Sequence, residues 1–108
     1  MGDIWIMKEN VIVFGAGKLY KERITLLKDK YNILAIIDNN AEHITIDTNN
    51  IPIYKPSKIV DLKYVSIIIM SDFIIEIILQ LSQIIGEQAC NERVKIGRLC
   101  VPVSLEEK

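Results

Sequence analysis

A short glycine-containing turn holds the residues of this chain that are best suited to bind a ligand. The turn contains Gly15, Ala16, Gly17 and Lys18, and it follows the unbroken apolar run Val11–Phe14. Where such a turn joins a buried strand to a helix, the first glycine permits a sharp bend and the second lets a phosphate approach the backbone. Free N–H groups and the partial positive charge at the helix N-terminus attract the phosphate. The turn therefore predicts a phosphate site, to which Lys18 contributes unless it is merely solvated.

An acidic residue follows the next apolar run of the sequence. Asp38 comes directly after the run Ile33–Ile37. At this distance from a glycine turn, a carboxylate can accept hydrogen bonds from ribose hydroxyls. Asp38 is therefore predicted to bind the ribose or the base of the same ligand.

One residue departs from the dinucleotide-binding pattern. Tyr20 occupies the third position of G-x-G-x-x-G, where a glycine normally lets the helix pack close to the sheet. We therefore expect the helix to tilt away or the Tyr20 ring to turn aside. The architectural alternative is that Gly15 and Gly17 only form a tight turn and that Asp38 only ends a strand.

A second polar pair follows the strongest strand pattern. Ser71 and Asp72 come after the apolar run Tyr64–Met70. In open parallel sheets, ligands lie outside the carboxyl ends of the strands, near the point where the strand order reverses. Both residues could line the same crevice, and Ser71 is included in the predicted site. The simpler alternative is that one of them only caps the following helix.

The elements that must position these residues alternate between strands and helices. Continuous apolar runs are typical of strands covered on both faces, and apolar residues three and four positions apart predict helices. We predict strand Val11–Phe14, helix Lys18–Lys30, strand Ile33–Ile37, a short edge strand Ile51–Tyr54, a brief helical turn at 56–60, a central strand Tyr64–Met70, a helix Phe73–Ile85 ended by Gly86, and an edge strand Val94–Val101. This order predicts an α/β protein: a small Rossmann-like three-layer domain with a mainly parallel sheet.

The helix predicted at Phe73–Ile85 is rich in isoleucine and leucine. Glu76, Gln80 and Gln83 form one narrow polar stripe on it, so we expect burial on more than one side. A second hypothesis follows from this helix. The chain would be a degenerate Rossmann-like interaction domain without a nucleotide, and the helix would form a homo-oligomer or bind a partner protein.

Length, charge and composition exclude several classes of function. The 108 residues, with a mass of 12.3 kDa, suit a single domain over residues 1–108, in which residues 1–8 are an N-terminal arm or a cloning remnant. The 13 Lys+Arg and 14 Asp+Glu give a net charge of −1, which makes nucleic acid and anionic membranes poor partners. Asp72 and Glu76 interrupt the longest uncharged stretches, so no membrane span is expected. Cys90 and Cys100 fit neither a zinc site nor a disulfide scaffold, which predicts a cytoplasmic protein with reduced thiols and without a metal; a single Cys90–Cys100 bridge is the alternative.

Only one pair of residues matches a catalytic motif by spacing. Tyr54 and Lys58 match the Tyr-x-x-x-Lys motif of extended Rossmann reductases, in which both residues share a helix face. Pro56 disfavours helix at Lys55, so this pair is predicted not to share a face. We therefore assign no catalytic residue, and a free-standing epimerase, dehydratase or dehydrogenase is the third hypothesis.

Four segments, taken in order, resemble a known group of domains. They read VIVFGAG at 11–17, NILAIIDNN at 32–40, IPIYKP at 51–56 and VSIIIMS at 65–71. Together they resemble the small Rossmann-like, CoA-binding-like domains of bacterial polysaccharide-biosynthesis proteins, of nucleoside-diphosphate-sugar epimerase or dehydratase type, and the N-terminal domains of bacterial sugar acyltransferases. The resemblance covers residues 9–86. It implies that Gly15, Gly17, Asp38 and Asn39 hold a nucleotide or nucleotide sugar and that a further domain supplies the catalytic residues.

The leading hypothesis is a nucleotide or nucleotide-sugar binding module of bacterial surface-carbohydrate biosynthesis. The phosphate would lie on the backbone of residues 15–18, and Asp38 would bind the ribose or base. NAD(P), a UDP-sugar and a CoA-like ligand stay open as alternatives, because all of them can use a glycine turn between a strand and a helix.

Overall fold

The computed structural model describes residues 8–41 and 45–97. These residues form six strands, three α-helices and one 3-10 helix, η1. In chain order they are β1 Glu9–Phe14, α1 Lys18–Lys30, β2 Tyr31–Ile37, β3 Thr45–Ile46, β4 Pro52–Tyr54, η1 Pro56–Asp61, β5 Ser66–Ile69, α2 Ile74–Ile85, α3 Glu87–Arg93 and β6 Val94–Ile96. Residues 1–7 of the predicted N-terminal arm, Cys100, and the part of the predicted last strand after residue 97 lie outside the described residues.

The six strands form one sheet in the order β3-β4-β2-β1-β5-β6. All neighbouring strands are parallel except β3 and β4, which are antiparallel. This confirms the prediction of an α/β fold with a mainly parallel sheet. The chain runs outward from β1 through β2 to β4 and then crosses back to β5, on the other side of β1. The strand order therefore reverses between β1 and β5.

Alternate residues of the inner strands enter two separate buried clusters. In β1, Val11 and Val13 belong to the first cluster, whereas Ile12 and Phe14 belong to the second. Since successive side chains of a strand point to opposite faces, the clusters lie on opposite sides of the sheet. The first cluster also contains the α1 residues Tyr20, Ile24 and Leu27, and the second contains Ile59 of η1, Ile77 and Leu81 of α2, and Cys90 of α3.

Helix α1 has the bounds that its sequence predicts. Its buried residues Tyr20, Ile24 and Leu27 are four and three positions apart, so they form one apolar stripe against the sheet. Lys28 and Lys30 lie in the last turn, where positive charge complements the helix dipole.

Two strand predictions were wrong in detail. Strand β4 is not at the edge, because the two-residue strand β3 pairs with it there and places Ile46 opposite Pro52. Residues 41–50 are polar and contain no apolar run that could have predicted β3. Strand β5 lies between β1 and β6, whereas β2 and β1 occupy the centre of the sheet. The last strand, β6, is at the edge as predicted.

Helix α2 differs from its prediction at its start. It begins at Ile74 with Phe73 as N-cap, and no side chain caps it; Ser71 Oγ instead accepts a hydrogen bond from the Phe73 N–H at 3.1 Å. The prediction that Ser71 or Asp72 is the N-cap is therefore wrong. Gly86 ends the helix as predicted, with a φ of 92° that favours glycine, and the unpredicted helix α3 follows at once.

Helix α2 packs on more than one side but keeps one exposed apolar strip. Ile77 and Leu81 are buried, while Ile75 and Leu79 are 67% and 61% exposed. Because α2 contacts η1 and α3 as well as the cluster on the sheet, the expectation of burial on more than one side is confirmed. The described residues leave the strip of Ile75 and Leu79 in solvent.

Candidate functional site

A cleft of about 480 Å³ lies at the carboxyl ends of β1, β2 and β5, where the strand order reverses. Its volume is within the range typical of small-molecule sites. Three segments form it: the turn into α1, the residues after β2, and the start of α2. The structure brings together all the residues of the predicted site, because the cleft is lined by Gly15, Ala16, Gly17, Lys18, Asp38, Asn39 and Ser71.

Gly15 is required by the packing of the strands. Its φ is +119°, and a Cβ atom at this position would lie 2.6 Å from the backbone oxygen of Met70. Its N–H donates to the Ile37 carbonyl at 2.8 Å. Gly15 thus lets the ends of β1 and β5 approach each other, a packing role in addition to the tight turn that the architectural alternative assigns to it.

Gly17, in contrast, has no such packing requirement. A Cβ atom there would meet nothing within 4 Å, and its φ of −88° is open to any residue. Gly17 is the N-cap of α1 and has no side chain to cap the helix. In the part of the chain that the structure describes, the N–H groups of Gly17, Lys18 and Leu19 donate to no protein group. Three donors and an open space therefore face the cleft at the positive end of α1.

The Asp38 carboxylate connects the two loops that flank these donors. Its Oδ2 accepts from the Ala16 N–H at 3.2 Å, and its Oδ1 accepts from the Asn40 N–H at 2.8 Å. A carboxylate has about four acceptor positions, so two remain for hydroxyl donors of a ligand. Because the negative carboxylate already occupies the Ala16 N–H, an anion would bind beside Gly17 and Lys18.

The charges that line the cleft are mostly negative. Among the lining residues that the structure describes, Lys18 is the one cationic side chain, and Asp38, Asp72 and Glu76 are carboxylates. Hydroxyl and amide donors are therefore favoured over most of the cleft. A phosphate is favoured only near Lys18 and the N-terminus of α1.

Tyr20 does not line the cleft. Its side chain is 3% exposed and packs in the cluster around α1, and its hydroxyl donates to Asp47 Oδ2. The ring stays in the interface between α1 and the sheet, so the expectation that it turns aside is not confirmed. Burial raises the pKa of Tyr20 well above its ordinary value, and the Asp47 carboxylate raises it further. Tyr20 therefore stabilises the packing of α1 and leaves the turn beside it open.

Asp47 organises a closed turn before β4. Its Oδ1 accepts from the N–H groups of Asn49 and Ile51, both at 2.9 Å, and its Oδ2 accepts from Tyr20. Burial alone would raise the pKa of Asp47, but these hydrogen bonds outweigh burial and lower it below its ordinary value.

Sequence reasoning missed several residues of the cleft. Phe73, Glu76, Ile77 and Gln80 of the α2 segment line it, and Gln80 exchanges two hydrogen bonds with Asn39. The available signal was the pair Glu76 and Gln80, polar residues four positions apart on an apolar helix. They are the polar part of the cleft-facing surface of α2.

The pair that matches a reductase motif lies outside the cleft. Lys58 Nζ is 5.1 Å from the centre of the Tyr54 ring, so the two side chains are in contact although Pro56 separates them. The prediction that they would not share a helix face is confirmed, because Tyr54 ends β4 and Lys58 lies in η1. The contact is with the face of the ring, and neither residue lines the cleft.

Two further features concern the described residues only. They contain no cluster of three or more His, Cys, Asp or Glu side chains placed to hold a metal ion. None of their helices is both long enough and apolar enough to span a membrane.

The fold and the cleft define an α/β protein with a ligand-sized opening at the reversal of a mainly parallel sheet. Residues 7–90 match the family described as C2185-like, N-terminal, and the chain belongs to that family. No curated protein sequence matches the chain.

Proposed function

We propose that this domain is a nucleotide or nucleotide-sugar binding module of bacterial surface-carbohydrate biosynthesis in the cytoplasm, and that it does not catalyse a reaction alone. One observation carries the proposal. The cleft lies at the reversal of the strand order and contains both the open Gly17 turn and Asp38. Ligands of open α/β sheets bind at this place.

The order of the parallel strands also supports the proposal. Counted in chain order without β3, the strands follow 3-2-1-4-5, the order of a Rossmann-like sheet. A Rossmann-like three-layer domain, similar to the CoA-binding-like domains that its sequence resembles, is the finer fold that we propose. The description of the family as an N-terminal unit supports a role beside a further domain that supplies catalytic residues.

Each part of the cleft suits a different part of a nucleotide. The N–H groups of residues 17–19 and the Lys18 ammonium would bind a phosphate. The free acceptor positions of Asp38 would bind ribose hydroxyls, and Asn39 would lie beside them. NAD(P) and UDP-sugars both fit this arrangement. Of NAD and NADP, we expect NAD, because the Asp38 carboxylate would repel a 2′-phosphate.

A thermal-shift screen tests this function. The wild-type chain, Asp38→Ala and the control Asp61→Ala, an exposed carboxylate outside the cleft, are heated with NAD(H), NADP(H), coenzyme A, UDP, CDP and UDP-sugars. A ligand at 100 times its Kd adds about 2.7 kcal/mol, which is a shift of several degrees. We expect such a shift for the wild type and for Asp61→Ala but not for Asp38→Ala. A folded wild-type chain that no compound shifts would contradict the proposal.

One observation favours a second candidate function. Ile75 and Leu79 are four residues apart on α2 and both more than half exposed, so they form an apolar strip that suits a homo-oligomer or a partner protein. In this candidate the domain is a degenerate interaction module that has lost its nucleotide. Sedimentation equilibrium of the wild type and of Leu79→Lys tests the homo-oligomer. A dimer that Leu79→Lys dissociates supports it, and a wild-type chain that stays monomeric contradicts it.

A further inference from the structure

A reciprocal pair of side-chain amides joins two walls of the cleft. Asn39 Nδ2 donates to Gln80 Oε1 at 3.1 Å, and Gln80 Nε2 donates to Asn39 Oδ1 at 2.7 Å. Asn39 belongs to the segment after β2, and Gln80 belongs to α2. Both side chains line the cleft. The pair thus connects the side of the cleft that carries Asp38 to the side formed by α2.

The fold has little need of this pair. Both hydrogen bonds are exposed, so water can replace them at small cost in stability. Gln80 nevertheless shares the cleft-facing surface of α2 with Phe73, Glu76 and Ile77, because residues three, four and seven positions apart lie on one helix face. The donors and acceptors of the pair are therefore available to a ligand in the cleft.

The chemistry of the pair indicates which part of a ligand it would contact. A carboxamide presents one donor and one acceptor side by side. In this pair, the NH₂ group of each amide donates to the oxygen of the other. Nucleobases present the same pattern along a ring edge, and Asn and Gln bind adenine through two hydrogen bonds in this way. Phe73 lines the cleft as well, is 66% exposed, and can contact the flat face of a ring.

We propose that Asn39 and Gln80 form the base-recognition element of the cleft. When a nucleotide binds, the two amides exchange their mutual hydrogen bonds for bonds to the donor–acceptor edge of its base. This inference rests on the proposed nucleotide-binding function. It orients the ligand with its phosphate at the N-terminus of α1, its ribose at Asp38 and its base toward α2.

The test compares a nucleotide with a ligand that lacks a base. Gln80→Met keeps the length and the charge of the side chain but removes its donor and acceptor. Gln83→Met is the matched control, since Gln83 is exposed on the same helix and does not line the cleft. UDP and NAD are titrated by calorimetry. Ribose 5-phosphate, which has the sugar and the phosphate alone, is titrated by NMR.

We expect Gln80→Met to weaken the binding of UDP or NAD by about five-fold or more, as the loss of one or two neutral hydrogen bonds does. Its affinity for ribose 5-phosphate should stay within about two-fold of wild type, and Gln83→Met should leave both affinities within that range. In the wild type, the side-chain NH₂ signals of Asn39 and Gln80 should shift on addition of the nucleotide, which a purely structural pair would not do.

Failure of base recognition can be distinguished from failure of the proposed nucleotide-binding function. Unchanged nucleotide affinity in Gln80→Met, or equal weakening of UDP or NAD and of ribose 5-phosphate, overturns base recognition and leaves the proposed function standing. A wild-type chain that binds neither UDP nor NAD nor ribose 5-phosphate overturns both.

Discussion

Asp38 and Asp47 each form a turn of the same type, but Asp38 lies at the open cleft and Asp47 is surrounded by groups that bond to it. Each carboxylate accepts a hydrogen bond from the N–H two residues later, Asn40 at 2.8 Å and Asn49 at 2.9 Å. Around Asp47 the remaining acceptor positions are used by the protein, including the Tyr20 hydroxyl. Among the described residues, the one further partner of the Asp38 carboxylate is the Ala16 N–H, at the open cleft.

This difference distinguishes polar groups that stabilise the fold from polar groups that are left for a ligand. The polar groups around Asp47 satisfy one another, so that region is explained by stability alone. Beside Asp38, three N–H groups of the α1 turn have no protein partner in the described residues, and Gly17 leaves open space. Donors that folding does not use are the groups that a ligand can use.

The largest loss of stability is expected at Gly15, which packs against β5 at the edge of the cleft. Gly15→Ala should lower the free energy of unfolding by about 3 kcal/mol or more, because the new Cβ atom would meet the Met70 carbonyl at a φ that favours glycine. The control Gly17→Ala should cost less than about 1 kcal/mol. Urea denaturation of both variants measures this, and equal losses would contradict the distinction between the two glycines.

The second largest loss of stability is expected at Asp47, in the closed turn before β4. Asp47→Ala should cost about 2–3 kcal/mol, since it removes the partner of the buried Tyr20 hydroxyl and of two backbone N–H groups. The ligand that the wild type binds should keep its affinity for this variant. Denaturation and calorimetry together test the prediction. A lost affinity in a folded Asp47→Ala chain would show that the two regions are not independent.

A pH dependence should accompany the closed turn. The pKa of Asp47 is lowered in the folded chain, so its stabilising contribution is present above its unfolded pKa of about 3.9 and is lost as the pH falls through the lower, folded value. The wild type should therefore lose stability below about pH 4 more steeply than Asp47→Asn. Denaturant midpoints of both chains between pH 2 and pH 6 measure the difference; parallel curves would contradict it.

The smallest change in stability is expected at the open turn. Gly17→Ser supplies the N-cap side chain that α1 lacks and should stabilise the chain by a few tenths of a kcal/mol. The same side chain fills the space that we assign to a phosphate, so the affinity for the nucleotide should fall by about ten-fold or more. A more stable variant with wild-type affinity would place the phosphate elsewhere.

Much of the fold could be predicted because its signals are local. The spacing of Tyr20, Ile24 and Leu27 predicts the bounds of α1, and the continuous apolar runs predict the buried strands. Strand β3 could not be predicted, because it has two residues and pairs through tertiary contacts. The exposed strip on α2 could not be predicted either, since an apolar sequence does not reveal which of its faces the sheet covers.

Some features of the candidate site could also be predicted from the sequence, and others could not. Gly15, Gly17 and Asp38 were visible because a glycine turn and a carboxylate at the end of the next strand form a known pattern. The bond from Tyr20 to Asp47 and the amide pair of Asn39 and Gln80 join residues 27 and 41 positions apart. No local pattern connects them, so only the structure reveals which polar groups the protein already satisfies.

The most direct test of the account is an ¹H–¹⁵N NMR titration of the wild-type chain with UDP and with NAD. We expect the backbone amide signals of Gly17, Lys18 and Leu19 to shift most, with smaller shifts at residues 38–40, and those of Asn49 and Ile51 to stay in place. Shifts concentrated at Asn49 and Ile51, or no shifts at residues 17–19 at millimolar nucleotide, would contradict the claim that the open turn binds a nucleotide.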